Sequence, residues 1–123
     1  MHELSLATEL MHQLERLAAE RGIVRFTEIV VRCGAMRQVV PDSLTLAFEM
    51  LSQNTPVAGA KLTLVEEPIA VRCRACGETS GASIDDYRCR QCGQADVEIV
   101  AGQDMILQTV TGEAAGTQPE DRP

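Results

Sequence analysis

Apolar residues near the start of the chain recur with the spacing of an amphipathic helix. Between Leu4 and Arg21, at about 100° of rotation per residue, they gather on one face. The members of that face are Leu6, Ala7, Leu10, Met11, Leu14, Leu17 and Ala18. His12 falls on the opposite, polar face, where we interpret it as a solvated residue rather than a ligand. Ser5 suits an N-cap and Gly22 a C-terminal stop, so the pattern predicts a first helix over residues 4–21.

Four later segments alternate between apolar and polar positions, which is typical of strands with one buried face. They cover residues 26–33, 61–66, 97–100 and 105–110. The last of these needs a sheet to pack on, and the segment before it is poor in apolar residues. We therefore expect the strand at 105–110 to return to the first part of the chain.

A second helix is predicted between the first two strands. Pro41 suits the first helical turn, and Asp42 places a negative charge near the positive end of the helix dipole. Apolar residues then follow at i, i+4 and i+7, namely Leu44, Phe48 and Leu51. The helix should run from Pro41 to about Leu51. The expected fold class is α+β, with two helices packed on a small β-sheet and an inserted cysteine module.

The same pattern suggests a discontinuous main domain. We expect residues 1–68 and 101–112 to form it, with residues 69–100 inserted as a separate metal-binding module. Residues 113–123 consist mainly of Gly, Ala, Thr, Pro and acidic residues, and we expect a disordered tail there.

Composition narrows the function classes. The chain has 123 residues, an ordinary globular composition and a formal net charge of −7, which repels a phosphate backbone. No apolar run is long enough to cross a bilayer, so membrane insertion is not expected. The start of the chain lacks a basic, apolar secretory pattern, and we expect a cytoplasmic protein with reduced thiols.

Four of the five cysteines form two Cys-x-x-Cys pairs separated by twelve residues, Cys73 with Cys76 and Cys89 with Cys92. This spacing is typical of a structural Zn²⁺ site with four thiolate ligands. Gly77 and Gly93 follow the pairs and allow the turns to take a positive φ. Two redox-active Cys-x-x-Cys motifs, or iron in a rubredoxin-like site, are the alternatives.

The remaining cysteine and the arginines have simpler interpretations. Cys33 closes the apolar face of a predicted strand, so we interpret it as a buried hydrophobe rather than a reactive thiol. Tyr87 and the arginines around the cysteines would suit a zinc-ribbon module that binds nucleic acid, although the acidic net charge opposes it. These arginines are Arg72, Arg74, Arg88 and Arg90. A zinc-dependent scaffold without a transferable metal is another hypothesis for this module. Neither a nucleophile–base pair nor a phosphate-binding loop is present in the sequence, so we do not expect an enzyme.

Several segments together resemble the HypA/HybF family of hydrogenase nickel-incorporation proteins. The resemblance covers about residues 1–110 and includes both cysteine pairs. Its other segments are Met1-His2-Glu3-Leu4-Ser5-Leu6, Val31-Arg32-Cys33-Gly34-Ala35, Val40-Pro41-Asp42-Ser43-Leu44, Gly59-Ala60-Lys61-Leu62 and Gln103-Asp104-Met105-Ile106.

This resemblance implies a metallochaperone with a structural zinc module and a separate nickel site at the N-terminus. The implied nickel donors are the amine of Met1, the amide and imidazole of His2, and the amide of Glu3. The implied role is delivery of Ni²⁺ to the large subunit of nickel–iron hydrogenase, together with the GTPase HypB. Four nitrogens in a plane favour Ni²⁺ or Cu²⁺ over tetrahedral Zn²⁺.

Overall fold

The structure is a computed structural model, which describes residues 2–114. Two α-helices are present in this range, α1 (His2–Arg21) and α2 (Pro41–Ser52), with a short 3-10 helix at Ala35–Arg37. The strands are β1 (Ile23–Gly34), β2 (Lys61–Glu67), β3 (Ile69–Cys73), β4 (Thr79–Ala82), β5 (Val97–Ala101) and β6 (Met105–Ala114). The α+β class predicted from the sequence is confirmed.

The strands form two three-stranded sheets. One has the order β2-β1-β6 and the other the order β4-β3-β5. β3 pairs antiparallel with both of its neighbours. β6 runs antiparallel to β1, because Arg25 bonds Glu113 at 3.1 Å while Thr27 donates to the carbonyl of Thr111 at 3.1 Å. The final strand therefore returns to the first part of the chain, as expected.

The described chain divides into two compact units. Unit 1 holds residues 2–30, 40–63 and 107–114, and unit 2 holds residues 31–39 and 64–106. These are units of packing. The functional division into residues 1–68 with 101–112 and residues 69–100 stays a prediction.

Unit 1 has an aliphatic core with two aromatic side chains. α1 buries most of the predicted face, with Leu17 and Ala18 only partly covered, and β1, α2 and the turn after α2 supply the rest. The buried residues are Leu6, Ala7, Leu10, Met11, Leu14, Phe26, Ile29, Leu44, Phe48 and Val57. Full burial of one Leu or Phe side chain contributes about 1.5–3 kcal/mol, so this core is the main source of stability in unit 1.

Unit 2 buries fewer apolar residues, and cysteines make up much of its interior. Its buried residues are Val31, Cys33, Ile69, Val71, Cys73, Cys89 and Met105. Cys33 is 7% exposed, and burial raises the pKa of its thiol, in keeping with its interpretation as a small buried hydrophobe. A metal that cross-links the cysteines would add stability that so small an apolar core does not supply.

A close approach of two glycines holds the end of β1 in unit 2. The N–H of Gly34 donates to Asp104 at 2.8 Å, and the N–H of Met36 donates to the carbonyl of Gly102 at 3.0 Å. A Cβ on Gly34 would overlap that Gly102 carbonyl. Gly102 itself has a φ of +94°, and a Cβ there would lie 2.7 Å from the Cα of Ile69. Both positions therefore require glycine.

Several predicted limits are wrong. α1 begins at His2 and not near Ser5, so Ser5 is not the N-cap. β1 begins at Ile23, because its first residues are held by β6 and not by burial; Val24 is 54% exposed. The same pairing carries β6 to Ala114, so residues 113 and 114 are not part of a disordered tail. The rest of that predicted tail, residues 115–123, lies outside the described residues.

β3 and β4 are not among the predicted strands. β3 buries Ile69, Val71 and Cys73 on one face, but the apolar Ala70 between them blurs the alternation in the sequence, and β4 contains no large apolar residue. Within residues 2–114, neither helix is sufficiently long and apolar to cross a lipid bilayer.

Candidate metal centres

The two Cys-x-x-Cys-Gly segments fold into nearly identical turns. In the first turn, the N–H of Gly77 donates to the carbonyl of Cys73 at 2.8 Å, and in the second the N–H of Gly93 donates to the carbonyl of Cys89 at 2.9 Å. Gly77 and Gly93 have φ values of +80° and +78°, the positive values that the sequence predicts. Such turns place two sulfurs on one side of the backbone.

Backbone N–H groups point at the first sulfur of each turn. The N–H of Cys76 lies 3.4 Å from the Sγ of Cys73, and the N–H of Gln91 lies 3.4 Å from the Sγ of Cys89. These two sulfurs are buried with their residues, whereas Cys76 and Cys92 are exposed. The buried pair therefore has donors that stabilise a thiolate, as metal ligation requires.

All four sulfurs converge, as the spacing predicts. Their Sγ atoms lie within 4.8 Å of one another. Across the two turns, the Sγ atoms of Cys73 and Cys92 are 3.5 Å apart, and those of Cys76 and Cys89 are 3.7 Å apart. A tetrahedron with Zn–S bonds of about 2.3 Å has edges of roughly 3.8 Å. The donor set and its dimensions fit a closed, four-coordinate metal site.

The thiols of the cluster differ in the direction of their pKa shifts. The backbone N–H of Cys92, followed by that of Gln91, lowers the pKa of the Cys89 thiol to about 7. The N–H of Cys76 lowers the pKa of Cys73 in the same way. At Cys76 the N–H of Glu78 favours the thiolate, but desolvation of the sulfur and the neighbouring thiols prevail and raise its pKa to about 12. A bound cation would offset the repulsion among four adjacent thiolates.

The arginines around the cysteines are mostly neutralised by nearby carboxylates. Arg74 pairs with Asp96 at 2.9 Å. Arg88 pairs with Asp86 at 3.0 Å, and Arg72 with Glu98 at 3.5 Å. Three of the four arginines around the cysteines therefore have a carboxylate partner, which weakens the positive field that a nucleic-acid interface needs.

The N-terminal candidate site begins at the first residues of α1. The Nδ1 of His2 lies 3.4 Å from the Oε2 of Glu3, and the His2 side chain is 50% exposed. Met1, the third implied nickel donor, lies outside the described residues. The structure thus brings the side chains of His2 and Glu3 together, and it leaves His12 exposed on the polar face of α1.

Sequence reasoning missed one partner of this site. The Oε2 of Glu3 accepts a hydrogen bond from the backbone N–H of Val40 at 3.1 Å. That bond, followed by smaller contributions that include His2, lowers the pKa of the Glu3 carboxyl. A backbone N–H carries no residue-type signal, so the sequence gives no hint of it.

An apolar hollow of about 250 Å³ lies beside Glu3 in unit 1. Glu3, Leu4, Ser43, Leu46, Ala47 and Met50 line it. Leu46 and Met50 are 59% and 64% exposed, so α2 presents apolar side chains to solvent next to the N-terminal site.

Comparison with known proteins identifies one family whose model matches most of this chain. Residues 1–112 match the family model described as "Hydrogenase/urease nickel incorporation, metallochaperone, hypA". Curated relatives include a hydrogenase maturation factor HypA from Roseiflexus sp. (strain RS-1), 38% identical over 108 residues, which are 87% of this chain and 88% of the relative. Another, from Moorella thermoacetica, is 32% identical over 115 residues, which are 92% of this chain and 100% of the relative.

A search of solved structures also finds HypA proteins. The solution structure of the Ni metallochaperone HypA from Helicobacter pylori is similar to this chain with a TM-score of 0.71 and 25% identity. The match covers 93% of this chain and 99% of the other.

Proposed function

The chain belongs to the HypA family of hydrogenase and urease nickel-incorporation metallochaperones, and from that premise we propose that it binds one Ni²⁺ at its N-terminus for delivery to nickel–iron hydrogenase. The observation that carries this proposal is the family match, which covers residues 1–112 and therefore His2 and Glu3, whose side chains lie 3.4 Å apart in the structure. The large subunit of the hydrogenase is the proposed acceptor, and HypB is the proposed GTPase partner.

The proposed nickel donors are the amine of Met1, the amide and imidazole nitrogens of His2, and the amide of Glu3. His2 and Glu3 are the first residues of α1, and the first N–H groups of a helix have no intrahelical acceptor. Deprotonation of these two amides therefore breaks no helical hydrogen bond. A planar set of four nitrogens suits Ni²⁺ and disfavours Zn²⁺.

The cysteine cluster is proposed to hold a structural Zn²⁺ through Cys73, Cys76, Cys89 and Cys92. Zinc would supply four strong bonds that cross-link the two turns, and with all four positions filled by protein it has no site for a substrate. The N–H groups directed at Cys73 and Cys89 support this role, because they stabilise the charged ligands.

Nickel is the cargo in this scheme, and the proposed activity is ligand exchange without a covalent reaction. The proposed setting is the cytoplasm, where the thiols stay reduced. Residues 1–68 with 101–112 would then act as the nickel domain, and residues 69–100 as the zinc module.

Metal analysis of the untagged protein tests this function. We expect one tightly bound zinc, and one nickel that the protein binds more weakly. The variant His2→Ala should lose high-affinity nickel and keep its zinc, because no proposed zinc ligand lies outside the cysteines. A protein that binds zinc alone would contradict nickel delivery and support a zinc-dependent scaffold.

A further inference from the structure

The carboxylate of Glu3 joins the proposed nickel site to the start of α2. Its Oε2 atom accepts the N–H of Val40 at 3.1 Å and lies 3.4 Å from the Nδ1 of His2. Val40 is the N-cap residue of α2, and it makes no side-chain capping bond of its own. We call the hydrogen bond between Glu3 and Val40 the Glu3 latch.

The latch does for α2 what the Glu or Gln at N3 of a capping box does, because it accepts the N–H of the N-cap residue. The first N–H groups of a helix need acceptors from outside the helix, and a negative charge there is favourable. Pro41 has no N–H to offer, and the N–H of Leu44 already bonds the carbonyl of Val40 at 3.0 Å. The Glu3 carboxylate, which comes from α1, therefore meets a need that the local sequence of α2 leaves open.

A helical N-terminus and a planar nickel chelate are incompatible. In a helix, successive N–H bonds are nearly parallel to the axis and do not converge on one point. A square plane requires the amide nitrogens of His2 and Glu3 to point at one ion together with the amine. Both residues are helical in the structure, so they must leave the helical conformation for all four nitrogens to bind.

The departure of His2 and Glu3 from the helical conformation affects both contacts of the Glu3 carboxylate. If the imidazole binds nickel through Nδ1, that atom is no longer available to Glu3. Unwinding at Glu3 also moves the base of its side chain away from Val40. Residues 1–3 therefore cannot bind nickel through all four nitrogens and keep the Glu3 latch at the same time.

We propose that Glu3 is a positioning residue that couples nickel binding to the N-terminus of α2: nickel opens the first turn of α1 and releases the Glu3 latch. This inference rests on the proposed nickel donors. Release leaves the N–H of Val40 without its acceptor and moves one wall of the apolar hollow that Glu3 and Leu4 share with α2. The loaded and empty forms therefore differ on a surface adjacent to the cargo.

Coupling of this kind is reciprocal, so the latch must also weaken nickel binding. A hydrogen bond to a charged group has a net free energy that corresponds to roughly a ten- to hundredfold effect on the equilibrium constant. Removal of the latch should therefore tighten nickel binding by about that factor.

Amide hydrogen exchange of the full-length protein, with and without stoichiometric nickel, tests the coupling. We expect the N–H of Val40 to exchange roughly ten- to hundredfold faster with nickel, because its acceptor is lost. The N–H of Leu44 is the internal control, because its acceptor lies within α2. Nickel bound with unchanged exchange at Val40 would overturn the inference and leave the proposed function intact. A parent protein that binds no nickel would overturn both.

Variants provide a second, independent measurement. Glu3→Ala removes the latch and should bind nickel more tightly than the parent. Glu3→Gln keeps an oxygen acceptor for Val40 and should lie between the two. Glu9→Ala, an exposed glutamate on the same helix, controls for the loss of one negative charge. Nickel binding that is weaker in Glu3→Ala than in Glu9→Ala would overturn the coupling, because it would show that the carboxylate aids the ion.

Discussion

The Sγ atom of Cys73 lies 3.5 Å from that of Cys92, although the two residues belong to different Cys-x-x-Cys turns. Cys76 and Cys89 make the matching contact at 3.7 Å, so the exposed sulfur of each turn meets the buried sulfur of the other. A metal at their centre would therefore join the end of β3 to the loop before β5. Loss of one ligand should affect both turns together.

The first prediction concerns this cluster. Cys89→Ala leaves three ligands and should release zinc and expose the β4-β3-β5 sheet, because zinc binding energy is folding energy in so small a core. Zinc content and amide exchange of residues 69–101 measure the effect. Cys33→Ala is the matched control, since Cys33 is a buried cysteine outside the cluster and its loss should leave zinc in place. Stoichiometric zinc in Cys89→Ala would refute the assignment.

The second prediction concerns the glycine contact in unit 2. Gly34→Ala places a methyl group against the carbonyl of Gly102 and should lower the free energy of unfolding by about 1–3 kcal/mol. Gly81→Ala is the control, because the nearest atom to its Cβ is 3.9 Å away and its φ is not positive. Urea denaturation of both variants measures the difference. Equal stabilities would mean that the backbone moves freely at Gly34.

The third prediction concerns pH. Ni²⁺ bound by two backbone amides and an amine must release at least two protons, and close to three when the amine begins protonated near its usual pKa of about 7.7–8.0. Nickel affinity should therefore fall at least about a hundredfold between pH 7.5 and pH 6.5, since each released proton contributes tenfold per pH unit.

Isothermal titration at these two pH values gives the number of protons directly. A site built only from side chains, such as the imidazole of His2 and the carboxylate of Glu3, releases at most about one proton in this range. A fall of less than tenfold would therefore exclude amide ligation. The zinc content should stay constant over the same range.

Features with a local pattern could be predicted from the sequence. The apolar face of α1, the helix from Pro41 and the convergence of two Cys-x-x-Cys turns all depend on residues close together in the chain. The return of β6 to β1 could be predicted because the apolar residues from Met105 onward need a sheet on which to pack.

Features fixed by distant backbone groups could not be predicted. α1 reaches back to His2, where Glu3 bonds the N–H of Val40, 37 residues away. The first residues of β1 pair with β6 while Val24 stays exposed, so no alternation marks them. In both cases the partner is a main-chain group, which any residue type offers.

The central claim is that nickel is anchored by the free amine of Met1, and one added glycine tests it most directly. An extension before Met1 converts the amine to an amide and interposes a residue, while it leaves every side chain, α1 and the cysteine cluster unchanged. Tag-free parent and extended variant are titrated with Ni²⁺ and followed by absorption, because a planar four-nitrogen Ni²⁺ complex is diamagnetic and yellow. We expect the extended variant to lose both the yellow species and high-affinity binding, with zinc content and thermal unfolding equal to the parent. Equal affinity and the same spectrum in the two proteins would contradict an amine-anchored site at residues 1–3.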